Sequence, residues 1–327
     1  MIEVQGLTKY FGRLAAINNI SFTVQTGSVV GFLGPNGAGK TTTMRMLTCY
    51  TPPSSGSIRI LGMDALSDSM KIRRNLGYLP ENVPLYDWMR VCSYLDFVCR
   101  AKGVPSGNRK AEIERVSSSV GLDDVMGKLV KWLSKGYRQR LGLAQALIGD
   151  PPIIILDEPT IGLDPRQIRE IRSLIKGLSK NKTVILSTHI LPEVSQICDR
   201  VIIINRGTLV AEDTPSNLMA VKGKSRRCSI AVRALETDLT NLLSAAPGVL
   251  SVKTGASEID GVAVVTVESL PEVEVRSELA RLIVARGWDL LDLKSIDFSL
   301  EDVFIDLITE EPIEPQSTEN LQNKEVA

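Results

Sequence analysis

Gly34-Pro35-Asn36-Gly37-Ala38-Gly39-Lys40-Thr41 fits the pattern G-x-x-x-x-G-K-[ST]. Before it runs Val29-Val30-Gly31-Phe32-Leu33, apolar throughout, as expected of a strand buried on both faces of a parallel sheet. After it, Thr42–Leu47 reads as a helix. The chemistry of the stretch requires these residue types. Glycines let the backbone curl until successive N–H groups face one point, an anion nest at a helix N-terminus. Lys40 adds a point charge for the β- and γ-phosphates of a nucleoside triphosphate, and the Thr41 hydroxyl suits Mg²⁺. Gly34 through Thr42 are therefore the expected phosphate-binding residues, for a nucleoside triphosphate with Mg²⁺. A chance glycine-rich turn is the bland alternative, and the strand–loop–helix context speaks against it.

Working outward, a second apolar run, Ile153-Ile154-Ile155-Leu156, ends in Asp157-Glu158. Ligand sites of open α/β sheets lie at the C-terminal ends of strands. Asp157 there fits a Mg²⁺ partner, and Glu158 fits a residue that orients or deprotonates an attacking water. Thr183-Val184-Ile185-Leu186 reads as another buried strand, and Val201–Ile204, Asn205-Arg206-Gly207 and Thr208–Val210 as a strand–turn–strand hairpin. Between about 88 and 149 the pattern turns helical, which predicts a helical subdomain inserted into an α/β domain spanning 1–221.

Beyond it lies a basic run, Lys222-Gly223-Lys224-Ser225-Arg226-Arg227, expected to be a solvated linker over 222–227. Residues 228–310 read as strand, helix, strand, strand, helix, strand, a ferredoxin-like βαββαβ order in a small α+β domain. Its strands fall near Cys228–Arg233, Val249–Thr254, Val262–Val267 and Asp289–Lys294, and its helices near Asp238–Ala245 and Val273–Arg286. Val275, Leu279, Leu282 and Ile283 form one apolar stripe on the second helix, and Gly287 suits its end. Ser299, with Asp302 three positions on, opens a last short helix. The polar, acidic, proline-bearing tail over 311–327 is expected to be disordered.

Composition sets bounds. At 327 residues the chain suggests two domains. Its 38 basic and 38 acidic side chains cancel, which argues against a protein that coats nucleic acid. One histidine, His189, leaves no room for multi-histidine zinc chemistry. The five scattered cysteines have no C-x-x-C and read as reduced thiols. No apolar run approaches the roughly 18–20 residues that span a bilayer, and the N-terminus does not read as a signal peptide. The chain is expected to be soluble, or held at a membrane by a partner.

Leu133-Ser134-Lys135-Gly136-Tyr137 heads a further helical run. The phosphate loop, this Leu-Ser-x-Gly, the apolar-Asp-Glu strand, Gly162-Leu163-Asp164 and a histidine after a strand, in that order, resemble the nucleotide-binding subunit of an ABC transporter over residues 2–220. The resemblance implies a P-loop NTPase fold of the ABC type, with a mixed sheet, and a Mg²⁺-dependent ATPase. It further implies that Ser134, Lys135 and Gly136 form a signature that closes over ATP held by the phosphate loop of a second subunit. Lys135 and Tyr137 depart from the usual Leu-Ser-Gly-Gly-Gln. By the same resemblance Asp164 belongs to a dimer-contact loop, His189 contacts the γ-phosphate as a catalytic partner of Glu158, and Phe11, or Tyr10 beside it, stacks on adenine. Core packing of a strand end is the alternative for Phe11. Glu81, in Leu79-Pro80-Glu81-Asn82, stands where the family usually has glutamine, and joins Thr41 and Asp157 around the metal. The apolar loop Val83–Met89 that follows suggests a partner surface, with core packing as its alternative.

Glu81, the Gly-Leu-Asp loop and a C-terminal domain ending in Ser299-Leu300-Glu301-Asp302-Val303-Phe304 look like the exporting ABC-2 branch, of gliding-motility type. The implied assembly is a homodimer, or a pair with a second ATPase subunit, on a separately encoded membrane permease at the cytoplasmic face of the cell membrane. The rival is a soluble ATP switch without a permease. Repair-type switches carry long coiled coils and ribosome-type switches two phosphate loops; this chain has neither.

Overall fold

The structure, a computed structural model, describes every residue except 180, 223–225, 256–258, 260, 271–272, 297–299 and 310–327. Residues 2–222 build two sheets around one helix. Strands β1 (Ile2–Phe11), β2 (Leu14–Val24), β3 (Val29–Leu33), helix α1 (Lys40–Leu47), β4 (Ser55–Ile60), β5 (Met63–Asp64), α2 (Ser69–Arg74) and β6 (Leu76–Leu79) come first. Helices α3 (Val91–Ala101), α4 (Arg109–Val120) and α5 (Lys135–Leu147) follow. Next are β7 (Ile153–Asp157), α6 (Pro165–Leu178), β8 (Thr183–Thr188), α7 (Leu191–Ile197), β9 (Arg200–Asn205), β10 (Thr208–Asp213) and α8 (Pro215–Lys222).

The larger sheet runs β10-β9-β3-β8-β7-β6, with every pair parallel except the β9–β10 hairpin. β3, β7 and β8 are buried along their full length, as their unbroken apolar runs predict. The smaller sheet, β2-β1-β4-β5, is antiparallel. Its core face, with Ile2, Val4, Leu7, Ile20 and Phe22, packs in one cluster with Val30 and Phe32 of β3 and Met44 of α1. The phosphate-loop helix is thereby held by both sheets. The opposite face of the larger sheet, through Leu33, Leu156 and Leu186, shares a second cluster with Leu95, Val116 and Leu141 of α3, α4 and α5.

The C-terminal part comprises β11 (Arg226–Arg233), α9 (Glu236–Ser244), β12 (Val249–Gly255), β13 (Ala263–Ser269), α10 (Arg276–Ala285), β14 (Asp289–Ile296) and α11 (Leu300–Thr309). The sheet order β12-β13-β11-β14, antiparallel throughout, is the expected βαββαβ arrangement. Leu239, Leu243, Leu279 and Ile283 bury one face of α9 and α10 against Ile230, Val265 and Val267.

Two sequence expectations shift, and one contact is new. The basic run 222–227 is not one solvated linker: Lys222 closes α8, and Arg226 and Arg227 already belong to β11. The Arg227 guanidinium is only 14% exposed and pairs with Asp302 of α11 at 2.8 Å. Val83, Leu85 and Met89 pack on the core, whereas Tyr86 and Trp88 of the same loop stay exposed, Trp88 at 81%. That loop divides between the two alternatives. Lastly, α11 packs back on α7 and α8, where Val303 and Phe304 join the cluster of Leu191, Val194 and Leu218. Ser299 and the tail 311–327 lie outside the described residues.

Candidate active site

β3 carries the chain into the phosphate loop, and the loop is shaped by sterics. A Cβ on Gly34 would lie 2.4 Å from the carbonyl oxygen of Ile204, so only glycine fits between β3 and β9. Gly39 adopts φ 108° at the N-cap of α1, a left-handed conformation that side chains disfavour. No side chain caps α1, so its first-turn N–H groups remain open to an anion. The loop is closed by Ala38 N–H donating to the Pro35 carbonyl (3.2 Å) and by Gly207 N–H donating to the Ala38 carbonyl (3.0 Å). The β9–β10 turn thus buttresses the nest from behind.

Lys40 is buried and donates through Nζ to the carbonyls of Gly34 (2.8 Å) and Pro35 (3.2 Å). The same Nζ lies 3.4 Å from Glu158 Oε1. The other Glu158 oxygen, Oε2, meets His189 Nδ1 at 2.9 Å. Beside a carboxylate, Nδ1 carries the hydrogen, which leaves Nε2 on the outer edge of the ring. Glu158 itself sits at φ 49°, a conformation costly for a non-glycine residue. Its N–H is held there by the Ser187 carbonyl (3.1 Å) and hydroxyl (3.0 Å).

Asp157 is fully buried. The Ser187 hydroxyl donates to its Oδ1, and Thr41 Oγ1 lies 3.3 Å from the same atom. Oδ2 has no hydrogen-bond partner. Burial pushes the carboxyl above its ordinary pKa, against the lowering effect of the two hydroxyls, with the Glu81 and Glu158 charges adding to the rise. An orphaned, desolvated carboxylate oxygen beside a hydroxyl and a second carboxylate suits a hard divalent cation. The residues therefore fit Mg²⁺. Among the described residues no three His, Cys, Asp or Glu side chains converge on one point. An ion there would take its remaining ligands from water and phosphate, the usual preference of Mg²⁺.

These parts surround one cleft of about 490 Å³, lined by Ala16, residues 35–37 and 39–42 of the loop, Glu81, Glu158, Ile161 and His189. Phe11 does not line it. That ring is 53% exposed at the tip of the β1–β2 hairpin, with Lys9 Nζ 5.4 Å above it, which removes core packing as its role. Tyr10 is equally open at 50%.

The signature stretch is elsewhere. Ser134 is the N-cap of α5, accepting from Tyr137 N–H at 3.4 Å, and Gly136 is buried so closely that a Cβ would lie 2.7 Å from Gln167 Nε2. Lys135 reaches toward Gly162. Asp164 caps α6, accepting from Arg166 and Gln167 N–H at 2.9 Å each. Ser134, Gly136 and Asp164 thus gather around the start of α6, and none of them lines the cleft. Gln139 Nε2 ties α5 to the cleft's back wall through the Pro159 carbonyl (2.8 Å).

Ser187 and Ala16 escaped the sequence reading. Ser187 matters because β7 and β8 pair Asp157 with Ser187, a register visible only once the strands are placed side by side. A second, larger groove of about 790 Å³ opens beside Glu81, with Tyr50, Met70, Tyr78, Pro84, Tyr86 and Phe97 in its wall. It lies between the α1–α2 side of the sheets and α3.

Comparison with known proteins agrees with this geometry. The family model described as "ABC transporter" matches residues 17–161, and a second, "AAA domain, putative AbiEii toxin, Type IV TA system", matches 129–195. The uncharacterized ABC transporter ATP-binding protein YhcH of Bacillus subtilis is 42% identical over 64% of this chain and 68% of its own. The bacitracin transport ATP-binding protein BcrA of Bacillus licheniformis is 36% identical over 94% of this chain and 97% of its own. The dimeric, post-hydrolysis structure of the ATP-binding cassette MJ0796 with ADP and Pi is similar at a TM-score of 0.61 and 25% identity, over 65% of this chain and 98% of that one. A nucleotide-phosphate cleft of this build, with relatives matched almost end to end, leads to one conclusion: the chain belongs to the family of ABC transporter ATP-binding proteins and is an ATP-binding, ATP-hydrolysing subunit of that kind.

Proposed function

We propose that this subunit powers an exporter of the ABC-2 kind, working as a pair and docked on a separate membrane permease at the cytoplasmic face. The observation that carries the pairing is the separation within one chain: Lys40, Thr41, Glu158 and His189 meet at one cleft, with Asp157 buried behind Thr41, and the lining of that cleft includes neither Ser134 nor Gly136. A second copy, facing the first, supplies Ser134 and Gly136 over the γ-phosphate. The exposed Phe11 ring offers a stacking face for adenine, with Tyr10 as the neighbouring candidate. Asp164, at the cap of α6, faces the partner copy.

Lys40 holds the β- and γ-phosphates, and the open first turn of α1 receives their oxygens. Thr41, Asp157 and Glu81 would hold Mg²⁺, which would supply positive charge against the charge that builds on the phosphates. Glu158, fixed between Lys40 and His189, orients the attacking water and accepts its proton. His189 keeps Glu158 in place through Nδ1 and presents Nε2 toward the γ-phosphate side. A transport role is supported by BcrA, named for bacitracin transport, and by the groove next to Glu81, lined by aromatic and aliphatic side chains together with Arg45, Arg73, Arg74 and Lys102, into which a permease segment would fit. No helix among the described residues is long and apolar enough to cross a membrane, so transport requires another polypeptide or segment. We assign residues up to Lys222, the end of α8, to the ATPase domain, with its helical subdomain over about 88–149, and the elements from β11, which opens at Arg226, to an accessory domain.

The test is Glu158→Gln. It keeps the shape and removes the negative charge poised beside the attacking water. Hydrolysis should fall by at least about 10²-fold, a typical loss for a general base. ATP should still bind, and an ATP-dependent dimer should accumulate on size-exclusion chromatography with light scattering. Turnover near the wild-type rate would remove Glu158 from this role.

A further inference from the structure

The turn that carries His189 is held from behind by groups the cleft does not contain. Thr188, the last residue of β8, is fully buried. Its Oγ1 accepts the Ile190 N–H at 3.0 Å and donates to Glu193 Oε2, also at 3.0 Å. One hydroxyl therefore spans His189, fixing the residue after it to the residue before it. Glu193, in the first turn of α7, is only 1% exposed, and its Oε1 accepts from Arg172 Nη2 of α6 at 3.3 Å. Arg172 Nη1 reaches Gln196 at 3.3 Å, and its Nε is buried with no partner.

This arrangement is expensive for a purely structural element. A carboxylate and a guanidinium are both taken out of water, and such a pair commonly stabilises no more than apolar residues of the same volume. What it provides here is direction. The hydroxyl and carboxylate fix the φ/ψ of the His189 turn, and that turn sets the 2.9 Å contact between His189 Nδ1 and Glu158 Oε2. The chain of contacts runs Arg172–Glu193–Thr188, then through the backbone to His189 and Glu158. We propose that Thr188 and Glu193 are positioning residues for hydrolysis, acting through His189, with Arg172 as the counter-charge that holds Glu193. This rests on the reading of His189 as a catalytic group.

His189 is the chain's one histidine, so labelled imidazole gives one set of resonances from the full-length protein. Thr188→Val preserves shape and removes both hydrogen bonds; Thr188→Ser restores them. The proposal expects Thr188→Val to shift the imidazole signals and to slow single-turnover ATP hydrolysis by about ten- to a hundredfold, the scale of a small misplacement of a reacting group. ATP affinity should be unchanged, and Thr188→Ser should recover both signal and rate. Glu193→Gln keeps an acceptor for Thr188 while loosening Arg172, and should shift the same resonances by less; it carries the test if Thr188→Val fails to fold. Unmoved resonances, or a wild-type rate in Thr188→Val, would overturn the proposal. So would a further loss when Thr188→Val is added to His189→Ala, since a residue acting through His189 has nothing left to position. If His189→Ala itself hydrolyses ATP at the wild-type rate, the underlying reading of His189 fails instead, whatever Thr188 does.

Discussion

Asp157 shows how one residue trades stability for chemistry. Its carboxyl is fully buried with one oxygen unpaired, and burial raises its pKa. The sign of the linkage follows. A carboxyl whose folded pKa exceeds its unfolded value binds protons more tightly when folded. Its burial is therefore without penalty below the unfolded pKa, and the destabilisation grows as pH rises from the unfolded value through the folded one. Asp157→Asn removes the charge and keeps the Oδ1 acceptor for Thr41 and Ser187. It should raise the thermal midpoint of the nucleotide-free protein at pH 7.5, with the gain shrinking toward pH 4, while Mg²⁺-dependent ATP affinity falls. A midpoint that drops at neutral pH would contradict this account of the site. Asp157 and Glu158 were legible from two carboxylates after an apolar run. Ser187, which holds both, was not, because a serine in a strand carries no signal until the neighbouring strand is in register.

Among the elements, the contact between α5 and β6 carries the signature helix. Gly77 of β6 lies so near the backbone of α5 that an added Cβ would stand 2.1 Å from the Ala146 carbonyl oxygen. Neither atom belongs to a flexible side-chain end, so the helix must move. Gly77→Ala should cost about 1–3 kcal/mol, the usual range for overpacking, read as a shift in the denaturant midpoint. It should also slow ATP hydrolysis by displacing the signature helix, while ATP binding at the phosphate loop survives. The central runs of β7 and β8, Ile153–Leu156 and Val184–Leu186, were readable because strands buried on both faces show consecutive apolar residues without polar alternation. The antiparallel sheet of β1, β2, β4 and β5 was not. In β1 the alternation of Ile2 and Val4 breaks at Gly6, where the register shifts and Leu7 takes the next core position. A period-two pattern interrupted by a bulge loses the signal that marks a half-buried strand.

Across the whole molecule, the C-terminal helix matters more to the ATPase part than its sequence suggests. Val303 and Phe304 of α11 are buried with Leu191 and Val194 of α7 and Leu218 of α8, and Arg227 of β11 pairs with Asp302 of α11. α11 thus packs on the helix that follows His189. The apolar positions of α11 mark it as amphipathic, but the surface they cover is formed by residues about a hundred positions earlier, which is why its docking was not legible. Truncation after Lys222 should keep ATP binding, because no residue lining the cleft lies beyond it. The truncated protein should nonetheless melt earlier than the full chain. Phe304→Ala alone should cost about 3 kcal/mol, the low end for removing a buried aromatic ring, measured by denaturant unfolding. A truncation as stable as the full chain would mean that α11 contributes nothing to that core.

The central claim is that an ATP site is completed by a second copy. Lys40→Ala destroys the phosphate loop of its own chain and leaves its signature intact. Ser134→Arg blocks the signature and leaves the loop intact. Each variant alone should be inactive as a homodimer, since every site contains one damaged half. Mixed, the two form heterodimers in which one site pairs an intact loop with an intact signature. By random pairing in a two-fold dimer the mixture should recover roughly a quarter of the wild-type ATPase rate per chain. A mixture no more active than its separate components, while its heterodimers are demonstrably formed, would contradict the account.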